Sequence, residues 1–138
     1  MTPGRVLALD PGTRRVGVAV SDPLGITAQP HSVLDAEDPD LMGQIARLGT
    51  DLGVERIVVG LPVSLNGTEG PAAATARTFA AAVAGATGLP VDLADERFTS
   101  VSAARVLVAA GLSGRRRRAV RDRVAAAVLL QAYLDGGR

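Results

Sequence analysis

Three short apolar or β-branched runs fill the first 34 residues, and beyond them helical and strand periodicities alternate. That order constrains the chain more than any single motif. Strands in direct succession form a meander, whereas strands separated by helices pair through crossovers. Val6–Asp10 is an apolar run that ends at a Pro-Gly-Thr turn signal. Arg15–Asp22 alternates and is β-branched, as a half-buried strand does. Asp22-Pro23-Leu24-Gly25 reads as a turn. Ile26–Leu34 reads as a third strand, which Pro30 confines to a sheet edge.

Asp38 and Pro39 open a helix as N-cap and first helical residue. Leu41, Ile45, Leu48 and Leu52 follow at helical spacing, and Gly53 closes it. Arg56–Leu61 has the apolar character of a strand buried on both faces. Pro62–Gly70 is a loop, Pro71–Thr87 an Ala-rich helix closed by Gly88, and Val91–Glu96 a further strand. Ser100–Ala110 reads as a helix, Leu112–Ala119 as a basic loop, and Val120–Leu134 as the last helix. The order βββαβαβαα implies an α/β fold, one mixed sheet with helices on both faces. Residues 1–138 fit a single domain at roughly 100–200 residues per domain, and 47% apolar residues supply a core.

The chain has no cysteine, which excludes a disulfide scaffold and a Cys-ligated zinc site. The N-terminal apolar run stops at Asp10, too short for a signal peptide, and no later run is apolar enough to span a bilayer. A cytoplasmic protein without membrane attachment is expected. The net charge of +1 hides an asymmetry. Residues 1–97 hold seven Arg and twelve acids, whereas residues 98–138 hold eight Arg and two acids. Such polarity suits an anionic partner, or a surface that is merely solvated and basic. There is no lysine at all, which codon bias would explain.

Strands one, four and five run parallel in this reading, so their C-terminal ends share one edge. Open α/β sheets bind ligands there. That edge collects Asp10, the Gly60–Pro62 turn, Asp95 and Glu96. Asp22 ends the returning strand, about seven residues at ~3.4 Å each from Asp10, and is read as a turn residue. Asp122 heads the row Ala126, Leu129, Tyr133 at helical spacing. It points toward the sheet, or else it caps the helix N-terminus. Three converging carboxylates suit metal-assisted phosphodiester hydrolysis, because hard Mg²⁺ takes oxygen ligands. The lone His31 lies on the edge strand away from these acids.

Four segments in order carry a resemblance to a known family: LALDPGTRRVGVAVSD, IVVGLPVSLNGTEG, DERFTS and RDRVAAAVLLQAYLD. The chain resembles the YqgF/RuvX family, assigned to Holliday junction resolution or to pre-16S ribosomal RNA processing, over essentially its whole length. The resemblance implies an RNase H-like fold with strand order 3-2-1-4-5, strand 2 antiparallel. It makes Asp10, Glu96 and Asp122 the catalytic, metal-binding acids, with Mg²⁺ or Mn²⁺ as cofactor, and favours Glu96 over Asp95. Many members of the wider superfamily place an acid at the end of strand four. Here that place reads Gly60-Leu61-Pro62, so Glu96 would have to reach in from the neighbouring strand.

The expected partner is nucleic acid, a structured RNA such as pre-rRNA or branched DNA. The candidate contacts are Arg14, Arg15, Asn66, Arg97, Thr99 and the run Arg115, Arg116, Arg117 and Arg118. Gly67 and Gly70 would let the Ser64–Gly70 loop approach substrate closely. The function so read is a metal-dependent endonuclease maturing the 5′ end of pre-16S rRNA, as a monomer or homodimer. The alternatives are a junction resolvase, which needs paired sites in a symmetric dimer, and a non-catalytic RNA-binding ribosome-assembly factor. LDPGT before a hairpin also resembles the phosphate loop of actin-like sugar kinases. Those proteins close a second similar domain over the nucleotide, and 138 residues leave no room for one.

Overall fold

The computed structural model describes residues 4–64, 66–96 and 114–136, with the backbone alone for 114–122. Its strands are β1 (Arg5–Pro11), β2 (Arg15–Ser21), β3 (Ala28–Asp35), β4 (Val54–Leu61) and β5 (Val91–Asp95). They form one sheet in the order β3-β2-β1-β4-β5. β2 is antiparallel to β1 and β3, and β4 is parallel to β1 and β5. The helices are α1 (Leu41–Leu52), α2 (Pro71–Thr87) and α3 (Gly114–Gly136). The helix expected over Ser100–Ala110 lies outside the described residues.

Strand alternation sorts the core into two layers. Leu7, Leu9, Val16, Val18, Ile57 and Val59 join Ile45 of α1 and Val83 of α2 on one face. Val6, Ala8, Ala19 and Val58 join Ala126, Leu130 and Tyr133 of α3 on the other. Gly53 and Gly88 close α1 and α2 in the left-handed conformation, where a side chain would be strained. β3 is an edge strand as Pro30 requires, and its pairing with β2 is irregular beside that residue.

Two boundaries differ from expectation. Asp38-Pro39 forms a turn before α1, in which Asp38 Oδ1 accepts the Asp40 N–H and its carbonyl accepts that of Leu41. The helix therefore starts two residues later, with Asp40 as N-cap. The expected basic loop Leu112–Ala119 is helical from Gly114, so Arg115–Arg118 belong to α3. Arginine is a good helix former, and its unfavourable position on the helix dipole costs only tenths of a kcal/mol per charge.

Ser21 is the buried polar residue among the described core. Its hydroxyl accepts the Val6 N–H at 2.8 Å and donates to the Asp22 carbonyl. Ser21→Ala should leave that N–H without a partner and cost about 1–3 kcal/mol. A thermal melt should register it as a drop of several degrees.

Candidate active site

The C-terminal ends of β1, β4 and β5 bring the site together. Asp10 follows Ala8 by two residues on β1, so both face α3, and Gly17 stands opposite it on β2 without a side chain. Glu96 lies one residue past β5. Its N–H donates to the Leu61 carbonyl at 3.1 Å, which continues the parallel ladder by one step. Ala94 packs on the α3 face, so Glu96 projects to that face while Asp95 projects to the other and is exposed.

Gly60 explains how Glu96 reaches the site from a neighbouring strand. A Cβ built on Gly60 would lie within contact distance of Glu96 Oε1 and 2.7 Å from its Cδ. The Glu96 carboxyl therefore occupies the volume that a side chain at the end of β4 would fill. The glycine that reads in the sequence as a missing acid is the space for one.

The Glu96 and Asp10 carboxyl groups lie within hydrogen-bonding reach of each other, an approach that needs a proton or a cation between them. Burial, then that close approach, then the charges of Asp10 and Asp95 push the Glu96 carboxyl up to about 9. Two carboxylates brought this close repel unless a proton or a cation lies between them. A divalent cation with oxygen ligands fits such a pair.

The sign of the linkage follows. Glu96 titrates higher folded than unfolded, so it favours folding while protonated. That contribution is lost as pH rises from about 4.5 through about 9. Melted in chelator, the protein should lose melting temperature steadily between pH 5 and pH 9, and Glu96→Gln should flatten the trend. An equal slope in the variant would contradict a proton between the two carboxyl groups.

The third acid, Asp122, lies on α3. Gln131 of that helix bonds Ala28, which pairs with Ser21, whose own neighbour across the sheet is Val6. Asp122 is nine residues before Gln131, about 13 Å of helix rise. Asp10 is four residues beyond Val6, again about 13 Å. By these rises, an α3 axis running along the strands would bring the Asp122 backbone level with Asp10, on the face of the sheet that α3 covers. Asp122 is in the third turn of α3, so N-terminal capping is not its role.

The remaining candidates divide. Arg14 and Arg15 are exposed in the hairpin beside Asp10, where the Gly12 N–H donates to the Arg15 carbonyl. Asn66 folds its own loop, its Oδ1 accepting the Thr68 N–H and the Ser64 hydroxyl. Glu69 holds the loop to α2 through two bonds from Arg77 at 2.8 Å. Arg97 and Thr99 lie outside the described residues. Asp22 lies at the opposite end of β2 and accepts three backbone N–H groups, from Leu24, Ile26 and Thr27. These bonds, that of Thr27 first, hold its carboxyl below the usual range. His31 bonds Ser32 on β3 and takes no part in the site.

The sheet order and topology are those of an RNase H-like fold, which the chain shares with RuvC. The RuvC of Thermus thermophilus in complex with a Holliday junction substrate superposes with a TM-score of 0.59 at 19% identity, over 96% of this chain and 95% of that one. The family model described as "RuvX: Holliday junction resolvase" matches residues 4–136, and the chain belongs to the RuvX family. A protein of Syntrophomonas wolfei is 48% identical over 96% of this chain and 95% of its own length. Another, of Moorella thermoacetica, is 49% identical over 95% of this chain and 94% of its own. Both bear the name "Putative pre-16S rRNA nuclease". Among the described residues, no helix is long and apolar enough to cross a membrane.

Proposed function

We propose that this chain is a divalent-metal-dependent endonuclease that cuts RNA phosphodiester bonds in maturing the 5′ end of pre-16S rRNA. The observation that carries the reading is the Asp10–Glu96 carboxyl pair, with Glu96 packed over Gly60 and a positive charge needed between the two. Asp10, Glu96 and Asp122 would hold Mg²⁺ or Mn²⁺. Such ions activate water for attack on phosphorus and stabilise the leaving oxygen. The protein's own part is to fix the carboxylates on two strand ends and a helix and to lead the phosphate backbone to them. The names of the relatives favour RNA.

The basic run has a matching place. Arg115 is seven residues before Asp122, so α3 carries Arg115–Arg118 up to about 10 Å beyond the level of the acids. A run of four Arg on the first turns of the helix that carries Asp122 suits phosphates flanking the scissile bond. Replacing all four with Ala should weaken RNA binding and reduce the dependence of log K on log salt by about one unit per lost phosphate contact. An unchanged slope would remove the run from the interface.

Purified protein with Mg²⁺ or Mn²⁺ tests the activity on pre-16S rRNA carrying its 5′ leader and on a four-way DNA junction. Metal-dependent cutting of the RNA alone supports the reading. Paired symmetric cuts in the junction would assign a resolvase instead. Binding of RNA without cleavage would assign a non-catalytic assembly factor.

A further inference from the structure

The seam between α3 and the sheet mixes small side chains with Val6, Val58, Leu130 and Tyr133. Ala126 and Ala127 of the helix pack with Ala8 and Ala19 of β1 and β2. The small side chains permit close approach, so Leu130 and Tyr133 are left to resist sliding along the helix axis by packing. A slip of one turn would carry Asp122 about 5.4 Å from its level. Two polar anchors in the C-terminal half of α3 oppose that slip.

Gln131 and Tyr133 are two residues apart and so leave nearly opposite sides of the helix. The Gln131 amide takes two backbone groups at the entry to β3: Oε1 accepts the N–H of Ala28, its first residue, at 2.9 Å, and Nε2 donates to the carbonyl of Ile26, two residues before it, at 3.0 Å. Nε2 also lies 3.0 Å from Asp135 Oδ1. On the other side the Tyr133 hydroxyl donates to Asp92 Oδ2 of β5 at 2.5 Å. The same oxygen takes Arg56 of β4 at 2.9 Å. The helix is thereby tied to both flanks of the sheet by directional bonds, below the seam and away from the acids.

We propose that Gln131 and Tyr133 are positioning residues, which set the axial register of α3 and through it the place of Asp122 beside Asp10 and Glu96. The inference rests on the reading of Asp122 as a metal ligand. Asp92 belongs to the device as the fixed acceptor on β5.

The test measures cleavage by the full chain of Tyr133→Phe, Gln131→Leu and the double variant against RNA and Mg²⁺ concentration. Ser21→Ala serves as a control that loses stability through another bond. The double variant should lose about 10–100-fold in kcat, as losses around a metal site do. Its half-saturating Mg²⁺ should rise several-fold while KM for RNA stays within about twofold. Ser21→Ala should keep both kinetic values. A double variant that melts lower but matches Ser21→Ala in kcat and Mg²⁺ dependence would overturn the inference, leaving the anchors structural only. Asp122→Asn in the same assay separates the layers. If it cuts as well as wild type, the ligand reading fails; if it is inactive while the anchor variants match Ser21→Ala, the positioning role alone fails.

Discussion

Asp10→Asn should lower metal-dependent cleavage at least about 10³-fold, roughly 4 kcal/mol of transition-state stabilisation, and should raise the melting temperature measured in chelator. The two changes come from one contact. The Asp10 and Glu96 carboxyl groups lie within hydrogen-bonding reach of each other, and their repulsion is relieved only by a proton or a cation. An amide at position 10 removes a charge and supplies N–H donors to Glu96, so the metal-free protein gains stability. The same change removes an anionic oxygen ligand, so Mg²⁺ binds weakly or not at all. Mg²⁺ should raise the melting temperature of the wild type by mass action and leave that of the variant almost unchanged. Glu96→Gln should behave alike. Opposite movement of activity and metal-free stability separates a metal pair from a structural one, where both would fall. Melts with and without Mg²⁺, beside the cleavage assay, check it. A variant that cuts normally, or melts lower in chelator, contradicts the assignment.

Much of this was legible because periodicity is a local property. The alternation in Arg15–Ser21, the helical spacing of Leu41, Ile45, Leu48 and Leu52, and the closing Gly53 and Gly88 each announce an element without its neighbours. The meander and the parallel strands one, four and five followed from the succession of strands and crossovers, the order 3-2-1-4-5 came with the family resemblance, and Asp22 was separable from Asp10 by strand length alone. What stayed hidden depends on contacts between segments. Alternation alone cannot choose between Glu96 and Asp95; the resemblance favours Glu96, and the face of Ala94 supplies the physical reason. Asn66 has the chemistry to read a substrate, and only the folded loop shows its oxygen already taken by Ser64 and Thr68. The start of α3 was misplaced because four Arg oppose the helix dipole. That local cost is only tenths of a kcal/mol per charge, and arginine is a good helix former, so α3 begins nearly two turns before Val120.

Gly60 is the sharpest case of a residue whose role only the register discloses, and Gly60→Ala should cut activity about 100-fold with the fold intact. The backbone at Gly60 has no positive φ, so alanine is not strained there. The new Cβ meets the end of the Glu96 side chain, with Cδ at 2.7 Å and Cγ at 3.1 Å, rather than backbone. A flexible carboxylate can swing aside, so the chain should fold and melt near the wild-type temperature. Swinging aside displaces a ligand by an ångström or more, and misplacement on that scale costs about 10²-fold. Mg²⁺ affinity measured by calorimetry should fall with it. The double variant Gly60→Ala/Glu96→Gln supplies the decisive comparison. If the glycine acts through Glu96, the double variant should be no worse than Glu96→Gln alone, because the displaced carboxylate is already gone. Additive losses would mean that Gly60 serves substrate or backbone in some other way. Full activity in Gly60→Ala would mean that Glu96 does not work from the position in which it is packed.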